Sequence, residues 1–202
     1  MAKSWMCWRG YDMVESVKTD EIINLIRNAL DLVSQEYYEV LTAYKPEGII
    51  RERAFCYELY HHMRSLQEHR KMNRFYVHGE IDKRGYSLLS EDERRNPDFI
   101  FHVPGELKNN FIVCEVKGKL DTKDDVYKDI QTLIRFTTGV LEYKMGVHIV
   151  FNYSIADYKE KMSEYLKDKE EDNYDMIGKI HVICKKSSKV PWEQDSLVNL
   201  LK

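Results

Sequence analysis

The sequence predicts an α/β fold in which a mixed central β-sheet is flanked by helices, and three observations carry that prediction. Segments of helical period alternate with short apolar runs in the order helix, helix, three strands, helix, strand, helix, strand, helix. The run from Val147 to Phe151 has few polar residues, the pattern of a strand covered on both faces, as interior strands of mixed or parallel sheets are. Two apolar segments, PDFIFHV and NNFIVCEVK, flank Pro104-Gly105, a turn pair that folds them into a hairpin.

In chain order, residues 1–18 carry Trp5, Trp8 and Tyr11 without periodicity and read as an arm packed on the domain or as a partner contact. Apolar residues at Ile22, Ile26, Leu30, Val33, Tyr37, Val40 and Leu41 then predict an amphipathic helix from Asp20 to about Tyr44, capped by Thr19 or Asp20. Pro46 and Gly48 break it. A second helix, about 49–70, places Phe55, Leu59, Met63 and Leu66 on one stripe, with Glu52 and Glu58 at its two margins. The segment 75–82 alternates as a strand, Lys83 to Gly85 turns the chain, and the charged stretch 90–96 is a solvated connector. After the hairpin, Asp121 or Thr122 caps a helix over about 123–141. Beyond the interior strand come a charged helix over 158–169, an acid-rich loop over 167–175, a final strand over 177–184, and a terminal helix opened by Pro191. With 202 residues and 43% hydrophobic composition the chain forms one domain. Its expected division is an N-terminal arm and helix (1–45), a core (46–185) and a C-terminal helix (186–202).

Composition narrows the function classes. The net charge of −3 argues against broad electrostatic attraction to nucleic acid, though not against a local groove. The basic cluster Arg51, Arg53, Arg64, Arg70, Lys71 and Arg74 around the second helix reads equally as a solvated helix face. No apolar run has transmembrane length and the first residues lack the basic-then-apolar pattern of a secretion signal, so a cytoplasmic protein with no membrane partner is expected. Cys7, Cys56, Cys114 and Cys184 form no Cys-x-x-Cys pair and read as small thiols in a reducing compartment. His78-Gly79-Glu80 lacks the Pro-Cys-x-x-Cys of zinc deaminases, and His61-His62 lacks a partner four residues on.

The candidate chemistry lies in the hairpin. Side chains alternate along a strand, so Glu115 and Lys117 share a face, and antiparallel pairing brings Asp98 beside them. Two neighbouring carboxylates repel unless a cation sits between them, and hard oxygen ligands suit magnesium or manganese. Pro97-Asp98 followed by Glu115-Val116-Lys117 resembles the PD-(D/E)xK signature of restriction-endonuclease-like nucleases, whose common core has the order αβββαβ. The run 51–152 is similar to a bacterial group of such nuclease-like proteins, on Glu52-Arg53 with Leu59, Glu80 before a short basic turn, Pro97-Asp98 with His102 and Gly105, and Tyr143 with Gly146.

That resemblance implies a metal-dependent nuclease that hydrolyses phosphodiester bonds, in DNA ahead of RNA. It implies that Asp98 and Glu115 ligate magnesium or manganese, with the Val116 carbonyl as a further ligand. Lys117 would orient or help deprotonate the attacking water. Glu52 would hold a metal-bound water or a second ion, and Glu80 is a further candidate for the same shell. A polar helper on the following helix is left open among Lys123, Asp129 and Gln131. Partners would be nucleic acid and a second copy of the chain or a larger protein assembly. The alternative is a non-catalytic, nuclease-fold binding or regulatory subunit of a nucleic-acid-processing or defence complex. A purely structural reading, with Asp98 capping a turn and Glu115 paired to Lys117, leaves acids embedded in two apolar strands unexplained.

Overall fold

The computed structural model describes residues 19–80, 96–166 and 174–202. The expected arm 1–18, the turn and charged connector within 81–95, and residues 167–173 of the acid-rich stretch lie outside them. The elements are α1 (Thr19–Leu30), β1 (Val40–Thr42), β2 (Lys45–Ile49), α2 (Glu52–His69), β3 (Tyr76–Gly79), β4 (Phe99–His102), β5 (Asn110–Lys117), α3 (Lys123–Thr138), β6 (Met145–Phe151), α4 (Ile155–Leu166), α5 (Tyr174–Ile177), β7 (Ile180–Lys185), β8 (Glu193–Ser196) and α6 (Leu197–Leu200). A six-stranded mixed sheet, in sequential order from β3 to β8, forms the centre, and β1 and β2 make a separate hairpin. The strands β3, β4 and β5 are antiparallel, β5, β6 and β7 run parallel, and β8 returns antiparallel on the far edge.

Both faces of this sheet are covered, as the apolar runs of β5 and β6 require. On one face α1 and α2 bury Ile22, Leu25, Ile26, Phe55, Leu59 and Met63 against Phe99, Ile112, Cys114, Ile149 and Phe151. On the other, α3 and α4 bury Val126, Ile130, Leu133 and Tyr158 against Ile100, Val113, Val150 and Val182. The described residues carry no helix long and apolar enough to cross a membrane.

The last predicted strand opens at Ile180 and not at Ile177, because 174–177 form the short helix α5, and two further elements differ more. The first helix stops at Leu30 instead of continuing to Tyr44: the chain turns after it, Gln35–Tyr37 form a 3-10 turn, and the backbone is extended only from Val40. Tyr38 is fully buried, with its ring edge-on to Phe55 (5.2 Å) and to Phe151 (5.9 Å). That anchor starts the β1–β2 hairpin, which returns through Gly48 at φ +83°. Leu41, apolar at helical spacing, is instead 71% exposed. The second difference is at the C-terminus, where Pro191 precedes an edge strand and the helix is the single turn of α6. Ser196 caps that turn, its Oγ accepting from the Asn199 N–H at 3.2 Å. Strand β8 escapes an apolar-pattern reading because its residues, Glu-Gln-Asp-Ser, are all polar, as suits a protected edge.

The Pro104-Gly105 turn is present. Gly105 has φ +85° and the Glu106 N–H donates to the Val103 carbonyl at 3.2 Å, a type II arrangement that requires glycine at its third position. A 3-10 turn, Leu107–Asn109, then leads into β5.

Candidate functional site

The hairpin register places the acids. Phe99 pairs with Cys114, so the next position outward sets Asp98 beside Glu115. Because β4 begins only at Phe99, the Val116 N–H has no strand partner there, and Asp98 Oδ2 accepts from it at 2.7 Å. A residue's N–H and C=O leave a strand on the same side, so the Val116 carbonyl also turns toward Asp98.

Burial is the main influence on both carboxyls. It pushes Asp98 up, against the opposing hydrogen bond from Val116, and pushes Glu115 well above the usual carboxylate range, with Asp98 and Asp129 adding to the effect. The two carboxyls act on each other directly, an influence that lowers Asp98 and raises Glu115. Two such groups cannot both be ionised side by side without a compensating positive charge.

Glu52 reaches the same end of the sheet from the first turn of α2, where its Oε1 accepts from the Gly118 N–H at 3.0 Å. Glu58 does not reach it. Its carboxylate lies 3.1 Å from His62 and raises the Tyr37 hydroxyl beside it, so of the two stripe-margin glutamates Glu52 belongs to the site. Gly118 makes this approach close. A Cβ there would stand 2.3 Å from Phe151 Cζ and 2.6 Å from Ile50 Cγ2, so a side chain would push apart the groups that bring Glu52 to the end of β5. Glu80 is next to the site in the backbone, its N–H donating to the Asp98 carbonyl at 3.1 Å, but its side chain is half exposed and lies 3.5 Å from Arg53.

Lys117 points along the same face as Glu115 and is partnered by Asp129 of α3, Nζ to Oδ2 3.2 Å. This selects Asp129 from the three helix residues left open by sequence. Burial, the largest single influence on Lys117, pulls it down, but Asp129, Glu52 and Asp125 together outweigh it and hold the amine above its ordinary value. Lys117 is therefore an ammonium. Asp129 is itself pushed up to about 6, chiefly by burial and against the pull of Lys117. Cys56, one turn after Glu52 on α2, is raised well above its ordinary value by burial and then by Asp98, Glu52, Glu115 and Glu80, and stays a thiol.

No protein-family model, curated protein or solved structure matches this chain. Its chemistry must therefore be argued from the residues. Among the described residues, no three His, Cys, Asp or Glu side chains already form a cluster of metal-binding geometry. The donor set still suits a hard divalent cation. Asp98 and Glu115 set two carboxyl groups side by side whose charge such an ion would balance, and the Val116 carbonyl and Glu52 would supply further oxygens. Among the described residues no thiolate or imidazole competes at the pair, since Cys56 and Cys114 are held as thiols by burial and His148, the neighbour of Glu115 on β6, is buried.

Gly118 and Asp129 are the site components that sequence reasoning left unassigned. A glycine directly after Glu-x-Lys, and an aspartate one residue before the apolar Ile130, were the only signals for them.

Proposed function

We propose that this chain is a metal-dependent nuclease that hydrolyses phosphodiester bonds, with DNA as the first substrate to test. The observation that carries the reading is the carboxyl pair of half-buried Asp98 and buried Glu115 beside an ammonium, at the end of a sheet where an antiparallel and a parallel half meet. Such a pair is electrostatically unsatisfied alone and is satisfied by a divalent cation. Asp98, Glu115 and the Val116 carbonyl would hold magnesium or manganese, and Glu52 would orient water bound to it. The ion would supply charge neutralisation at the phosphate and an ionised water near neutral pH.

The chain's own residues do the rest. Lys117, kept cationic by Asp129, donates hydrogen bonds that orient the attacking water and balance negative charge growing on the phosphoryl oxygens. It acts as a charge and not as the base, because Asp129 and Glu52 favour its protonated form. The Asp98 carboxylate is held at a fixed angle by the Val116 N–H, and Glu52 by the Gly118 N–H. Neither needs to reorganise when substrate arrives.

The test is cleavage of single-stranded and duplex DNA and of RNA by purified protein, with magnesium or manganese and with EDTA. The expected result is metal-dependent cleavage that falls about 100-fold or more in Asp98→Asn and in Lys117→Met. Nucleic-acid binding without cleavage, unchanged by these substitutions, would replace this reading with the non-catalytic subunit. Undiminished cleavage in both variants would place the chemistry elsewhere.

A further inference from the structure

A polar chain runs from Lys117 into the core on the α3 side of the sheet. Asp129 Oδ2, the atom facing the Lys117 ammonium, is also 3.9 Å from Nε2 of His148. His148 lies on β6 directly across from Glu115 and is fully buried. Its other ring nitrogen, Nδ1, is 3.1 Å from the hydroxyl of Tyr158 on α4, which is fully buried as well. Among the described residues, neither Asp129 Oδ2 nor His148 Nε2 has a well-aligned hydrogen-bond partner. Buried polar atoms without partners are rare, and here His148 Nε2 faces a buried carboxylate oxygen whose ion-pair partner, Lys117, lies on its other side.

Their donor and acceptor characters are complementary. Burial pushes the His148 imidazole down to about 3, so the ring is neutral and carries one proton. A buried hydroxyl must donate to something, and among the described residues the acceptor beside the Tyr158 O–H is Nδ1. Nδ1 is then an acceptor, and the single ring proton sits on Nε2, facing the carboxylate. A bridging water with near-tetrahedral angles would hold the two atoms about 4.5 Å apart, so the 3.9 Å separation favours a direct contact. A shift of under one ångström closes it directly.

We propose that His148 and Tyr158 are positioning residues. The Tyr158 hydroxyl fixes His148 as the Nε2–H tautomer, that N–H donates to Asp129 Oδ2, and the carboxylate so held keeps the Lys117 ammonium beside the Asp98–Glu115 pair. The arrangement of the chain stands on its own geometry, and its effect on turnover rests on the nuclease reading above. It also accounts for a histidine in an otherwise apolar interior strand, where valine or isoleucine would pack without a polar group to satisfy.

Two measurements test it. In ¹⁵N-labelled protein without metal, the His148 ring should be neutral and Nε2-protonated from pH 6 to 8. Its Nε2–H should exchange slowly and shift in Asp129→Asn, and Tyr158→Phe should mix the tautomers. A ring protonated at Nδ1, or an imidazolium, overturns the proposal whether or not the protein cleaves nucleic acid. In cleavage assays, His148→Phe should lower kcat at least tenfold with KM unchanged, and His148→Gln, whose amide N–H falls near the Nε2 position, should recover most of that loss. A His148→Phe protein that folds and keeps full kcat overturns the role in turnover. If the wild-type protein shows no cleavage, the nuclease reading fails while the ring spectra still decide the chain.

Discussion

Replacing Asp129 with asparagine should inactivate the protein and stabilise it. In the folded chain this carboxyl is pushed from 3.8 up to about 6, chiefly by burial, even with the Lys117 ammonium at 3.2 Å pulling it down. Below pH 4 the carboxyl is protonated both folded and unfolded and contributes nothing. Between pH 4 and 6 the folded protein holds a proton that the unfolded chain has released, so stability falls as pH rises. Above pH 6 the whole penalty applies. A displacement of this size corresponds to about 3 kcal/mol, since one pH unit is about 1.4 kcal/mol. A hydrogen bond from His148 would favour the ionised form and reduce the penalty, so the working range is about 1 to 3 kcal/mol.

Asparagine keeps the shape of the side chain and never ionises. At pH 7 and in EDTA, Asp129→Asn should therefore gain roughly 2–4 °C in melting temperature for each kcal/mol relieved, and at pH 4 the advantage should vanish. Urea denaturation at the two pH values, read by circular dichroism, separates the cases. The same variant should lose most of its metal-dependent cleavage, because Lys117 loses the partner that fixes it. If Asp129→Asn is less stable than wild type at pH 7, the Lys117 pair contributes net stability and Asp129 is not a strained group, which would refute the electrostatic account of the site.

Three further outcomes are expected. Gly118→Ala should lower stability by about 1–3 kcal/mol in denaturant titration, because its Cβ would meet Phe151 Cζ at 2.3 Å, and should impair cleavage through the displaced Glu52. Glu52→Gln should weaken magnesium affinity about tenfold or more by calorimetry, since the Gly118 contact survives but the charge does not, whereas Glu58→Gln should leave affinity and cleavage unchanged. Saturating magnesium should raise the wild-type melting temperature, by the equivalent of about 2.7 kcal/mol at a concentration 100 times Kd, and should not do so in Asp98→Asn; an equal rise in both would place the ion elsewhere.

What could be read from the sequence was what depends on period. Alternation along a strand and a Pro-Gly turn suffice to put Asp98, Glu115 and Lys117 on one face, and the register bears this out. The layered sheet followed from apolar runs too long to leave either face wet. Helix period was less decisive. It left Glu52 and Glu58 at opposite margins of one stripe, and only the path of the chain into α2, past Ile50 and Gly118, turns Glu52 to the site. The same period misled between Leu30 and Tyr44, where apolar spacing imitates a helix but the chain turns, forms a 3-10 turn over Gln35–Tyr37 that seats the ring of Tyr38 in the core, and is extended only from Val40. Asp129 could not be separated from Lys123 and Gln131 because its selection depends on where Lys117 ends, a contact between elements that no local pattern encodes.

The site and the core share parts, and this limits what can change independently. Phe151 stacks on Phe55 with ring centroids 3.9 Å apart, touches Tyr38, and crowds Gly118. The cluster that terminates α1 early and starts the β1–β2 hairpin therefore also sets the distance between α2 and the end of β5, and with it the position of Glu52. Across the sheet, His148 and Tyr158 occupy core positions while facing Asp129, so the α3 side is tied to Lys117 in the same way. Packing from both layers thus converges on one sheet end, where four carboxyl groups, those of Glu52, Asp98, Glu115 and Asp129, stand around the ammonium of Lys117. A fold selected only for stability would place apolar residues there, since replacing buried charges by well-packed hydrophobic groups is commonly neutral or favourable. On the proposed reading, a bound cation is the condition under which holding these groups close becomes favourable.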